Sequence, residues 1–87
     1  SRGLGDEYKR QVYQLECSDK SIYTGICKGD LDKRMNEHQD GKGSEYVMSR
    51  LPFELKWFKS NLTASQAMKE EYRIKQMSQE DKKKLWQ

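Results

Sequence analysis

Five side chains of this 87-residue sequence carry groups suited to handling a phosphate ester: Tyr13, Tyr23, Arg34, His38 and Glu71. Arg34 and His38 stand four residues apart, so on a helix they project from one face. Guanidinium is a planar fork of donors that matches phosphate oxygens, and imidazole can give or take a proton near neutral pH. As an isolated pair they equally describe an exposed arginine and a helix-terminal histidine stabilised by the dipole. Tyr13 and Tyr23 lie in strand-like stretches, with Gly25 two residues beyond Tyr23. Tyrosine in a strand is usually packing, whereas glycine there often marks the close approach of a ligand or another backbone.

Glu71 interrupts a pattern. On a helical wheel of residues 63–78, Ala64, Ala67, Met68 and Ile74 gather within about a third of a turn, and Glu71 falls amid them. Glu70 is expected on the solvent side. A carboxylate on an inner face needs a partner, because burying it unpaired is costly. Two readings stay open: an ion pair with Arg34 or a lysine, or a hard-metal ligand at the lip of a groove. One carboxylate with waters and substrate phosphates is a common way to hold Mg²⁺.

The elements that must position these groups are legible from local chemistry. Residues 11–17 alternate and are rich in strand formers, Ser18-Asp19-Lys20 supplies a turn, and residues 21–27 return, forming a hairpin. That pairing separates Cys17 from Cys27 beyond disulfide reach. Asp30 caps a helix starting at Leu31, and Asp40-Gly41-Lys42-Gly43 ends it. Residues 44–50 read as a short helix or an ordered loop before Pro52, and Phe53 to Phe58 as a third strand. Thr63 and Gln66 make a capping box for a helix to about Met77, and Ser78 caps a last helix ending near Trp86. The expected fold is α+β, a small three-stranded antiparallel sheet flanked by helices in the order ββαβαα. Residues 1–10 are set aside as an N-terminal tail, and residues 11–87 form a single domain.

Composition narrows the function classes. Only 33% of residues are hydrophobic, and a chain this short buries ~60% of its unfolded surface, so a deep cofactor cavity is excluded. No apolar run approaches the ~20 residues of a membrane span, and no membrane partner is expected. Two cysteines are too few for a disulfide framework, which points to reduced thiols in a cytoplasmic or nuclear compartment. One histidine and no CxxC pair exclude a structural zinc site. The net charge of +3 falls wholly within residues 44–87, which permits a polyanion partner without demanding one. Lys82-Lys83-Lys84 reads as a solvated helix face.

Taken in order, these pieces resemble the GIY-YIG nuclease domain over residues 11–86, in its compact single-domain branch. Val12-Tyr13 stands where the family's first motif ends, and Tyr23-Thr24-Gly25 stands for the second. Asp30 to His38 resembles the helix bearing the active-site Arg, and Gly41 to Tyr46 the glycine-rich loop ending in another active-site Tyr. Leu51 to Leu55 fits the third strand. Ala67 to Lys75 resembles the helix whose metal-binding Glu falls on Glu71. The first motif reads Gln11-Val12-Tyr13 where the family has Gly-Ile-Tyr, and Glu45 and Val47 replace the branch's frequent Lys and Thr. The resemblance implies metal-dependent endonucleolytic hydrolysis of DNA with one Mg²⁺ or Mn²⁺ on Glu71. It implies Arg34 on the scissile phosphate, Tyr13 as base with help from His38 or metal-bound solvent, and Tyr23 and Tyr46 orienting water and phosphate. Gly25, Lys42 and Lys75 are the implied nucleic-acid contacts. Arg34 and Glu71 are expected to converge over the tyrosine-bearing hairpin.

Two alternatives belong to other classes. One is a nucleic-acid binding module of the same fold with weak or lost turnover, the other a protein-interaction domain using Trp57, Phe58 and Trp86. Branched, damaged or site-specific DNA and RNA all stay open as substrates, and so does a protein partner for targeting.

Overall fold

A computed structural model describes residues 8–87. Residues 1–7 of the expected tail lie outside them. The first strand, β1 (Arg10–Cys17), begins one residue inside the expected tail and pairs antiparallel with β2 (Ile22–Lys28). At the turn between them, Asp19 Oδ1 accepts the Ser21 N–H at 3.0 Å, the side-chain capture that turn aspartates make. The register sets Tyr13 opposite Gly25 and Gln11 opposite Cys27, and both cysteines are free thiols.

Helix α1 (Leu31–Gln39) opens at Asp30, whose carboxylate accepts the Asp32 N–H at 2.9 Å. It closes before Gly41, which takes a φ of 77° that side-chain-bearing residues adopt reluctantly. Residues 44–50 do include a helix, the single turn α2 (Glu45–Met48), capped by Ser44. Strand β3 (Phe53–Leu62) runs four residues beyond the expected end and pairs with β1, giving the sheet order β2-β1-β3. It carries two register shifts, one between the pairs Gln14–Trp57 and Leu15–Leu55, the other near Asn61. Each absorbs an extra residue and kinks the edge strand, which with Lys56 and Lys59 discourages pairing with another chain. Thr63 and Gln66 form the expected reciprocal box at the start of α3 (Ala64–Lys75), and Ser78 caps α4 (Gln79–Lys84).

Strand alternation sends neighbouring residues to opposite faces. Val12 faces α3 and α4, in a cluster with Leu62, Ala67 and Ile74. Tyr13 and Leu15 face α1 and α2, in a cluster with Cys27 and Val47. Burying one side chain such as Ile74 contributes about 1.5–3 kcal/mol. The polar intruder on the α3 face is Gln14, fully buried; its Oε1 accepts the Trp86 indole N–H at 2.7 Å. Trp57 and Trp86 are thus half-buried packing residues, while Phe58 is 51% exposed. No described helix is long and apolar enough to cross a membrane.

Candidate active site

One turn of α1 separates Arg34 from His38, and both reach the hydroxyl of Tyr13 on the central strand. His38 Nε2 lies 2.7 Å from the Tyr13 oxygen. The Ser44 backbone N–H donates to His38 Nδ1 at 3.4 Å, so in neutral imidazole the proton sits on Nε2 and is given to tyrosine. Arg34 Nε donates to the same oxygen at 3.5 Å. Its Nη1 is paired with Glu37 at 3.0 Å, and among the described residues nothing takes Nη2.

Burial governs the titration here. It pushes the Tyr13 phenol up to about 12, against the hydrogen bond from Arg34 that pulls it back. It also pushes His38 below its ordinary value, with the Arg34 charge adding to the effect. Arg34 is held even more firmly cationic, first by its bond to Tyr13. At neutral pH the cluster is therefore a neutral phenol, a neutral imidazole and a guanidinium. Tyr13 is 0% exposed and His38 1%, whereas the Arg34 side chain is 30% exposed. Arg34 presents the cluster to solvent.

Aromatic rings extend the layer. Tyr23 lies 6.3 Å from Tyr13 and 5.7 Å edge-on from His38, and it stacks on Tyr46 at 5.9 Å with 27° between planes. The Arg50 guanidinium lies over the Tyr46 ring, 3.8 Å from its centroid. Two glycines make room for this packing. A Cβ at Gly25 would lie 2.7 Å from the Tyr13 oxygen, and one at Gly43 would collide with the His38 ring. Gly25 is buried, so the close approach its place in the strand suggested is that of Tyr13. Gly43, Ser44, Glu37 and Arg50 were not singled out by sequence reasoning. Gly43 carried a signal, its place in the loop after α1; Arg50 carried none.

Glu71 sits on α3, across the sheet from this cluster. Only Ala67 and Ile74 of the expected stripe are buried; Met68 is 65% exposed and Ala64 also faces solvent. Glu70 is not on the solvent side: its side chain is 16% exposed against 26% for Glu71. Arg73 at 2.7 Å and Lys59 at 3.7 Å hold it, and the Arg73 bond leads in keeping its carboxyl below the usual range. Lys59 belongs to β3, so Glu70 leans toward that edge.

The Glu71 carboxylate pairs with Lys75 at 3.1 Å, which answers its need for a partner with a lysine. No described hydrogen bond or ion pair joins Glu71 to Arg34 or the tyrosines. Lys75 is taken up by Glu71, and Lys42 is exposed beside the loop. Among the described residues no three His, Cys, Asp or Glu cluster as a protein-only metal cage. Glu71 alone is a half-covered hard oxygen donor, the donor type of a Mg²⁺ site completed by water and phosphate.

Sheet, helices and a phenol–imidazole–guanidinium cluster together describe a compact α+β catalytic domain. The sequence matches the GIY-YIG catalytic domain over residues 9–84, and the chain belongs to that family. It is 46% identical over 74 residues to a UPF0213 protein of Oceanobacillus iheyensis, covering 85% of each chain. A UPF0213 protein of Halobacterium salinarum is 43% identical over 75 residues, 86% of this chain and 96% of that one. The solution NMR structure of a UPF0213 protein from Bacillus halodurans superposes with a TM-score of 0.56 at 39% identity, covering 87% of this chain and 80% of that one. Membership implies nuclease activity in general, with DNA as the suggested substrate, and such nucleases generally use a divalent metal.

Proposed function

We propose that this chain is an endonuclease hydrolysing phosphodiester bonds in DNA with one Mg²⁺ or Mn²⁺, acting on branched or damaged DNA in repair or recombination. The observation that carries the reading is the mounting of Arg34: held at Nε by Tyr13 and at Nη1 by Glu37, with Nη2 left for a substrate oxygen. A guanidinium anchored in this way donates to the scissile phosphate as negative charge builds, without reorganising at that moment.

Tyr13 then serves as a positioning residue and not as the base. Its oxygen already accepts from two donors, its phenol is raised to about 12, and it has no exposed surface. His38 holds Tyr13 and offers no unpaired nitrogen, since Ser44 occupies Nδ1. The hydroxyls of Tyr23 and Tyr46 orient water and phosphate above them. Glu71 would hold the divalent ion, which when bound neutralises phosphate charge and stabilises the leaving oxygen. Lys75 pairs with that carboxylate and holds it in place, and Lys42 meets flanking phosphates.

A panel of labelled linear, flapped and branched DNAs with Mn²⁺, run beside Arg34→Ala and Glu71→Ala, tests this. The parent cuts at least one substrate; both variants lose cutting by roughly 10²–10³-fold while melting like the parent. Glu71→Ala cutting as well as the parent would remove the metal assignment. Salt-sensitive binding with no cutting by the parent would instead establish the binding-module alternative.

A further inference from the structure

We infer that Arg50 is a positioning residue that clamps the Tyr46 ring over Tyr23 and so acts on the substrate through Tyr46; this rests on the nuclease reading of the same site. Tyr46 belongs to a single helical turn and is 37% exposed, a setting in which backbone structure alone cannot hold a ring still. Its ring stacks on Tyr23, and the Arg50 guanidinium lies over it, 3.8 Å from the centroid. The same guanidinium donates from Nη1 to the Tyr46 carbonyl at 3.1 Å and to Ser49 Oγ at 3.0 Å. From Nε it donates to Asp19 Oδ2 at 3.0 Å, 31 residues away in the turn between β1 and β2.

That turn is itself anchored. Asp19 accepts from Ser21, and the Ser18 N–H donates to the Arg50 carbonyl at 3.0 Å. Arg50 therefore ties the hairpin that carries Tyr13 and Tyr23 to the segment that carries Tyr46. A direct phosphate contact fits less well. The Asp19 carboxylate is kept below its usual range, by Ser21 first and by Arg50 after, so it stays ionised beside the guanidinium and repels an anion. Lysine cannot replace this residue, because its donors sit on one compact nitrogen, which does not lie flat on the ring while also reaching acceptors on both segments.

Cleavage by Arg50→Lys, Tyr46→Phe and the double variant, with NMR of the tyrosine ring protons, tests the inference. Arg50→Lys should lower kcat about 10-fold through a misplaced ring, leave KM and the salt dependence of DNA binding unchanged, and shift the Tyr46 ring resonances. The double variant should cut no worse than Tyr46→Phe alone, because both changes act through one group. Additive losses, or unmoved Tyr46 resonances with unchanged kcat, would overturn the inference. So would a salt slope reduced by about 1, the mark of a phosphate contact. Should Arg50→Lys not fold, Asp19→Asn releases the Nε anchor alone and should show a smaller loss of the same kind; unchanged Tyr46 resonances there would overturn it equally. A parent that cuts no DNA defeats the nuclease reading, yet the ring resonances still decide the positioning.

Discussion

On one face of the sheet Val12, Leu62, Ala67 and Ile74 close an aliphatic cluster; on the other, Tyr13, Leu15 and Cys27 share their layer with a buried histidine. The first face needs only apolar volume of about the right size, and such packing tolerates exchange as long as volume is kept. The second face buries hydroxyl, imidazole and, in part, guanidinium. Each must have its partner, and among the described residues no buried side-chain polar atom lacks one. The aliphatic cluster and the Arg34 cluster are thus separated by one layer of backbone. Changes within the aliphatic cluster should move stability, and changes at Arg34 should move turnover.

The sharpest test of that division is Arg34→Lys. Cutting should fall roughly 10²–10³-fold, since lysine cannot bridge Tyr13, Glu37 and a phosphate together. Urea unfolding should change by no more than about 0.5 kcal/mol, as for other partly exposed positions. Ile74→Ala should do the reverse, costing about 2–5 kcal/mol of stability while turnover per folded molecule stays at the parental value. A selective loss of turnover in Ile74→Ala would break the comparison.

Gly43→Ala should sit between the two. Forcing a methyl against His38 costs about 1–3 kcal/mol, and calorimetry and cleavage should decline together. The smallest effect is on pH. Because the folded His38 titrates below 6.5, the unfolded chain takes up its proton first as the pH falls. Stability from this group is whole above about 6.5 and is lost as the pH drops through that value toward the lower folded pKa. Unfolding curves between pH 7.5 and 5 should show this slope. His38 is the only histidine, so His38→Gln should flatten the slope in that window.

Several parts of the site were legible before any packing was known. Tyr13, Tyr23, Arg34 and His38 stood out by type and spacing, and all four meet on one face. Tyr46 came from motif resemblance and does join them. Glu71 was singled out both by the wheel and by the motif, but the wheel misjudged its surroundings. A wheel assumes that a broad surface covers the helix, whereas here the sheet meets a narrow line through Ala67 and Ile74. Lys59 then rises from β3 to cover Glu70, and Met68 is left in solvent. The far end of β3 was missed because bulges break the alternation by which a strand is read.

What the sequence determined by itself are the features settled within a few residues: the turn at Asp19, the caps at Asp30, Thr63 and Ser78, and the one-turn spacing of Arg34 and His38. Their energies come from neighbours along the chain, so local chemistry suffices. Tertiary packing was needed to seal Tyr13 beneath Arg34, to bring Arg50 to Asp19 across 31 residues, and to set Lys59 of β3 against Glu70. Those outcomes depend on which faces the close-packed layers bury together, and residue spacing along a chain does not specify that.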